Sequence, residues 1–265
     1  MMKLEDVTYG YETGTPAVLG VSFAVSSGEH VAVVGPNGSG KSTLLRLMCG
    51  LLSPRSGQVR MGGRPVEVMK PSQRARHVSI LFQNPDDQIF KGRVADELRF
   101  GPLLSGMDPG DIEERMHHAA ALCSIDGTLD RNPYDLSRAQ RKRVCLASVL
   151  MMETSLVLLD EPMAGQDPAG REAVMRAMDA LRVRGVSVVA VTHDMDVAAG
   201  FDRIMVLEEG RLKAEGAPRD LFSHACPGLH PPDTVALGRK LGLPGVCLTE
   251  RDVLEGLIQH VKAGS

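Results

Sequence analysis

The chain has 265 residues, 43% hydrophobic and 24% charged, which suits one large α/β domain with a short appendage or two small domains. A net charge of −3 at pH 7 gives no global basic field for nucleic acid or an anionic membrane surface, and 3% aromatic residues without tryptophan count against base-stacking platforms. Five cysteines, none in a C-x-x-C pair, point to a reducing compartment rather than a disulfide framework.

The first twelve residues lack the charged-then-apolar run of a secretory signal. No apolar run approaches the roughly 18–20 residues that span a bilayer, so any spanning is expected of other chains. The apolar pattern predicts strands over 3–8, 20–25 and 29–34, the last apolar on both faces and therefore central in a sheet. A Gly-rich turn leads into a helix over 41–50, and 78–82 reads as another buried strand. From 85 to 152 the strand signals stop and helices are predicted over 94–100, 111–123 and 137–152. Asp108-Pro109 opens the middle one. Strands return at 156–159, 186–192 and 204–207. A helix over 168–184 separates the first two, capped by Asp167 before Pro168. Alternating strand and helix predicts an α/β fold with a mainly parallel sheet, interrupted by an inserted helical subdomain over 85–152. Past 217 prolines break the pattern. Thr249 and Asp252 are spaced as a capping box for a last helix, and 223–265 is expected to be a small extension without its own core.

Gly35-Pro36-Asn37-Gly38-Ser39-Gly40-Lys41-Ser42 fits G-x-x-x-x-G-K-[ST] between a predicted strand and a helix. Glycines let backbone N–H groups close around phosphates, and the helix N-terminus adds positive potential. Lys41 is placed to reach the β- and γ-phosphates and Ser42 to ligate Mg²⁺. Leu156-Val157-Leu158-Leu159-Asp160-Glu161 is a buried strand ending in two acids at the carboxyl edge of the sheet, where open α/β folds bind ligands. Asp160 suits the shell of a Mg²⁺ ion and Glu161 a general base for the attacking water. Gln83 and His193 each follow a predicted strand at that same edge. Neither is informative alone.

In this order Gly35–Ser42, Gln83, Leu136-Ser137-Arg138-Ala139-Gln140, Asp160-Glu161, Asp167 and His193 resemble the nucleotide-binding domain of ABC ATPases over roughly 2–222. The resemblance implies a P-loop NTPase fold of ABC type, with N-terminal antiparallel strands, within a domain of 1–222. It implies ATP and Mg²⁺ as ligands and a contact from Gly35, Asn37, Gly38, Ser39, Gly40, Lys41, Ser42 and Thr43 to the phosphates. Tyr11 would stack on adenine and Gln83 would sense the metal. Ser42, Gln83 and Asp160 would form the metal set, and Glu161, His193 and Gln83 the catalytic set. It also implies a head-to-tail dimer, a homodimer being expected, in which Ser137 and its neighbours face the phosphate bound by the other copy; Gln140 and the D-loop acid Asp167 are expected to bind nucleotide as well.

The signature loop departs from the family's Leu-Ser-Gly-Gly-Gln at Arg138 and Ala139, which puts a Cβ where close backbone approach is usual. Arg138 is expected either to add positive charge near the transferring phosphate or to point into solvent, the second being favoured. Phe82-Gln83-Asn84-Pro85-Asp86-Asp87-Gln88-Ile89-Phe90 and Phe100-Gly101-Pro102 resemble the ATPases of energy-coupling factor (ECF) transporters. That resemblance implies a transmembrane coupling protein and a substrate-capture protein as partners, at the cytoplasmic face of the membrane. The extension, with Leu229-His230-Pro231-Pro232, leans toward the cobalt/nickel branch, the alternative being a vitamin such as biotin. A regulatory nucleotide binder with weak hydrolysis is a further alternative, against which Glu161 and His193 argue. An ATPase acting on DNA or ribosomes is disfavoured because the helical stretch of about 65 residues lacks heptads. His224, Cys226 and His230 match no established metal-site spacing. His117 and His118 diverge by about 100° on a helix and are expected at the surface.

Overall fold

The computed structural model describes residues 1–12, 14, 16–224 and 229–263. Strand β1 (Met2–Gly10) pairs antiparallel with β2 (Pro16–Val25), and the chain then enters β3 (His30–Val34), buried at all five positions. Helix α1 (Lys41–Met48) follows the Gly-rich turn. The chain next returns to β1 through β4 (Ser56–Met61) and β5 (Arg64–Pro65), which complete a four-stranded antiparallel sheet in the order β2-β1-β4-β5. Neither β4 nor β5 is anticipated by the sequence reading. In β4 only Val59 and Met61 are both apolar and buried, too short an alternation to register as a strand.

A four-residue helix α2 (Pro71–Arg74) precedes β6 (Val78–Leu81). Helices α3 (Val94–Leu104), α4 (Pro109–Leu122) and α5 (Arg138–Met151) then intervene before β7 (Leu156–Asp160). Strands β6 and β7 are nevertheless adjacent and parallel, Val78 opposite Leu156, so the three helices form an insertion on one crossover. The sequence pattern ends α3 at 100. The helix continues, since Pro102 falls in the last turn and gives up only the single bond its N–H would make.

The second sheet closes with α6 (Pro168–Val183), β8 (Ser187–Val191), α7 (Met195–Ala198), β9 (Arg203–Glu208) and β10 (Arg211–Gly216). Its order is β10-β9-β3-β8-β7-β6, parallel except for the β9–β10 pair. Strand β10 leaves alternate residues exposed at the sheet edge, and its polar alternation hides it from a hydrophobicity reading. The period-2 alternation of the parallel strands divides the interior in two. Ala32, Val34, Leu159, Ala190 and Val206 face α3–α6, whereas Val31, Val33, Leu158, Val191 and Leu207 face α1 and the antiparallel sheet.

After α8 (Pro218–Leu221) come α9 (Asp233–Lys240) and α10 (Glu250–Ala263). The capping box forms as spaced: Thr249 Oγ1 accepts from Asp252 N–H at 3.1 Å, and Asp252 Oδ2 accepts from Thr249 N–H at 3.2 Å. Phe222 and Val235 are buried in the core on the α3–α6 side, and Leu229, Val246 and Leu248 pack against that core. Leu243, Cys247 and Val253 make a small separate cluster. Cys49, Cys123, Cys145 and Cys247 are free and buried, and burial pushes the Cys123 and Cys145 thiols up to about 12. Cys226, the middle member of the trio with His224 and His230, lies outside the described residues. Among the described residues no helix is long and apolar enough to cross a membrane.

Candidate functional site: a phosphate loop facing two buried acids

The loop between β3 and α1 is held in a shape only glycine allows at two points. Gly35 lies at φ +143°, where a Cβ would sit 1.9 Å from the Leu207 carbonyl oxygen. Gly40 caps α1 at φ +99°, where a Cβ would sit 2.0 Å from the Ala17 carbonyl oxygen. Lys41 is 6% exposed, and its Nζ donates to the carbonyls of Gly35 and Pro36, each at 2.8 Å. Burial lowers the Lys41 pKa, while Glu161 and Asp160 opposite it work to raise it. The buried Ser39 hydroxyl has no protein partner. Tyr11 leans over α1, its hydroxyl 3.2 Å from Thr43 Oγ1, and packs edge-on against Tyr9 at 5.1 Å between ring centroids.

Strand β7 is buried throughout and ends at Asp160, which is 4% exposed. Burial raises its pKa, and a hydrogen bond from Ser42 together with the charges of Arg46, Lys142 and Lys41 pulls back. Its Oδ1 has no hydrogen-bond partner. A buried carboxylate oxygen left unpaired beside a serine hydroxyl is what a hard cation with oxygen ligands requires, so Asp160 and Ser42 fit Mg²⁺.

Glu161 follows at φ +52°, a left-handed conformation that costs a side-chain-bearing residue about 1–2 kcal/mol. Its N–H donates to the Val191 carbonyl at 3.0 Å, and its own carbonyl accepts from Ala164 N–H at 3.1 Å and from the Lys142 ammonium. The peptide is thereby pinned, and the carboxylate turns toward the loop. Burial raises the Glu161 pKa, with His193 and Lys41 opposing. His193 Nε2 stands 3.1 Å from Glu161 Oε1. The turn that carries His193 is fixed on its far side by Asp194, whose N–H donates to Thr192 Oγ1 at 3.0 Å and whose carboxylate caps α7 and pairs with Arg171.

These elements enclose a cleft of about 560 Å³ lined by Tyr11, Asn37, Gly38, Gly40, Lys41, Ser42, Thr43, Gln83, Asp160, Glu161 and His193, with Pro16, Ala17 and Val191. Residues widely separated in sequence, from Tyr11 to His193, thus share one volume. Gly35 and Ser39 belong to the loop without lining the cleft. Ser137, Gln140 and Asp167 do not line it either. Ser137 caps α5, accepting from Gln140 N–H at 3.2 Å, while Gln140 Oε1 accepts from Ser137 N–H at 3.0 Å. Asp167 caps α6, accepting from Gly170 N–H at 2.7 Å. Arg138 is exposed, as expected. It borders a smaller cavity of about 190 Å³ with Gln83, Ala139, Lys142, Ala164 and Gly165. His117 and His118 are exposed too.

Pro16, Ala17 and Lys142 are missed by the sequence reading. Lys142 carries a signal that could have found it: with Cys145 and Val149 it occupies one buried stripe of α5, where a lysine requires a partner. A further cavity of about 340 Å³ between α4, α5 and α6 is bordered by Arg115, Glu153 and Arg184 and contains none of the motif residues.

The ABC transporter family model matches residues 18–164. The energy-coupling factor transporter ATP-binding protein EcfA of Methanothermobacter thermautotrophicus is 38% identical over 85% of this chain and 73% of its own. Among solved structures, cbiO1 from Clostridium perfringens, part of the ABC transporter complex cbiONQ, superposes with a TM-score of 0.74 at 32% identity, covering 84% of this chain and 90% of that one. A dimeric post-hydrolysis state of the ATP-binding cassette MJ0796 bound to ADP and Pi superposes with a TM-score of 0.77 at 26% identity, covering 82% and 98%. The chain belongs to the ABC transporter family of ATP-binding proteins, in its energy-coupling factor class, and is an ATPase coupled to transport.

Proposed function

We propose that this ATPase hydrolyses ATP in the Lys41–Glu161 cleft to drive uptake of cobalt or nickel ions. The observation that carries the reading is the convergence of a buried ammonium, a buried and a partly buried carboxylate, a histidine and a glutamine on one cleft, with the signature residues left outside it.

The N–H groups of the loop from Gly35 to Thr43 and the Lys41 ammonium hold the phosphates, and Tyr11 lies against adenine. Ser42, Asp160 and Gln83 hold Mg²⁺, which when bound neutralises charge on the phosphate oxygens. Glu161, its pKa raised by burial, accepts the proton of the attacking water. His193 contacts the γ-phosphate and, 3.1 Å from Glu161, keeps the carboxylate oriented. Ser137, Gln140 and Asp167 face outward and complete the site of a second copy arranged head to tail. The similarity to a dimeric cassette bound to ADP and Pi supports this arrangement.

The partners are a transmembrane coupling protein and a substrate-capture membrane protein, with the ATPase peripheral at the cytoplasmic face. Phe90, 57% exposed, packs edge-on against Phe100 with Lys91 above both rings, and Leu103 and Leu104 further along α3 are exposed, which supports a docking surface on the start of the helical insertion. The ion assignment rests on the likeness to cbiO1 and on the extension's resemblance to the cobalt/nickel branch. It is tested by uptake in cells carrying the chain with its membrane partners. Radioactive cobalt should accumulate with wild type and not with Glu161→Gln. Biotin uptake without cobalt uptake would overturn it.

A further inference from the structure

The catalytic role of Glu161 requires that its carboxylate stay aimed into the cleft, yet its backbone is left-handed at φ +52° without being glycine. Such a conformation persists only where its surroundings hold it. Two of the three bonds that do so are main-chain contacts, one to Val191 at the end of the neighbouring strand β8 and one from Ala164 three residues on. The third comes from a side chain of the helical insertion. Lys142, 4% exposed on α5, sends its ammonium to the Glu161 carbonyl oxygen. Helix α5 starts at Ser137, the residue that closes on the second nucleotide in the proposed dimer. Lys142 stands one and a half turns into that helix, on the wall of the small cavity that opens toward Gln83.

A lysine this buried is costly unless it is paired. The pair of acids at the end of β7 faces two ammonium groups: Lys41 from the loop side, and Lys142 from the side of the helical insertion. Lys41 has an evident use, since it lies in the cleft and reaches phosphate. Lys142 does not line the cleft. Its bond to a main-chain carbonyl acts on where Glu161 points, not on nucleotide.

We propose that Lys142 is a positioning residue for hydrolysis: it locks the Glu161 peptide in its strained conformation and ties the general base to the helix that begins at the signature serine. Movement of α5, driven by closure on a second copy's nucleotide, is then transmitted to the base through one charge-assisted hydrogen bond. The inference rests on the reading of Glu161 as the base.

The test uses the full chain and three substitutions, Lys142→Met, Lys142→Gln and Glu161→Gln, with ATP affinity, KM and kcat measured separately. Methionine keeps length and apolar bulk but donates nothing, whereas glutamine keeps a donor. Lys142→Met should lower kcat about tenfold, with ATP affinity changed less than about twofold, and Lys142→Gln should recover most of the rate. In a Glu161→Gln background Lys142→Met should have no further effect, since the group it positions is gone. Unchanged kcat in folded Lys142→Met, a loss carried by KM, failure of glutamine to rescue, or an equal further loss in the Glu161→Gln background would each overturn the proposal. Full activity of Glu161→Gln alone would instead overturn the reading beneath it.

Discussion

Glu161 gathers three unfavourable features at one residue: a left-handed backbone, a buried carboxylate and a close neighbouring acid, Asp160. Their joint consequence is a carboxylate readier to take a proton than that of an ordinary glutamate. In the proposed role of general base, protonation of the carboxylate as pH falls through its raised pKa abolishes turnover. The acid limb of the kcat–pH profile is therefore expected above the ordinary glutamate value of 4.5, and Glu161→Gln should lower kcat by about a hundredfold or more. The same burial disfavours the charged form in the folded state only. Below the unfolded-state pKa both states are neutral and there is no penalty; above the folded-state pKa the penalty is complete. Glu161→Gln should accordingly raise the melting temperature at pH 7.5, and the gain should shrink toward pH 4. A variant less stable than wild type at pH 7.5 would contradict this account of the site. Which chemistry-bearing residues meet was legible from the sequence because each ends a buried strand at the same sheet edge, as Glu161, His193 and Gln83 do. The burial of Lys142 was legible from its place on an apolar stripe of α5, but its partner was not, because that partner is a main-chain carbonyl.

At the scale of single elements, α5 shows how far the signature departure reaches. The capping box of Ser137 and Gln140 forms although Arg138 and Ala139 stand where glycines are usual in the family, so the helix N-terminus keeps its shape and its donors. Arg138 is exposed and Ala139 gives its carbonyl to Gln166 Nε2 at 3.1 Å. Arg138→Gly is therefore expected to change turnover by less than about tenfold, ~1.4 kcal/mol, in steady-state ATPase assays. A larger fall would make Arg138 itself part of the reaction. The long, strongly patterned elements were legible: β3, β7, β8, α5 and α6 are all anticipated, with the Asp167 cap confirmed. Those missed are short or polar. Strand β4 has two buried apolar residues, α2 and α7 are four residues each, and β10 alternates around charged groups at an edge. Their existence depends on neighbouring strands and helices that local periodicity does not encode.

For the whole molecule, the sheet divides the labour: one side carries the phosphate loop and the antiparallel strands, the other the helical insertion and the C-terminal helices. Because Val235, Val246 and Leu248 pack onto the second side, removing residues 229–265 should destabilise the remaining chain, by about 1.5–3 kcal/mol for each buried apolar side chain lost. Calorimetry of the truncated chain should show one transition at lower temperature; an unchanged midpoint would mean that the extension is merely attached.

The central claim is that one copy supplies Lys41 and another Ser137 to each working site. ATPase assays on Lys41→Ala, Ser137→Arg and a 1:1 mixture of the two test it most directly. Either variant alone places a defect in every site and should be inactive. A mixed dimer restores one intact site, so hydrolysis should reappear at about a quarter of the wild-type level when copies pair at random. A mixture as inactive as its components, or single variants as fast as wild type, would contradict the claim.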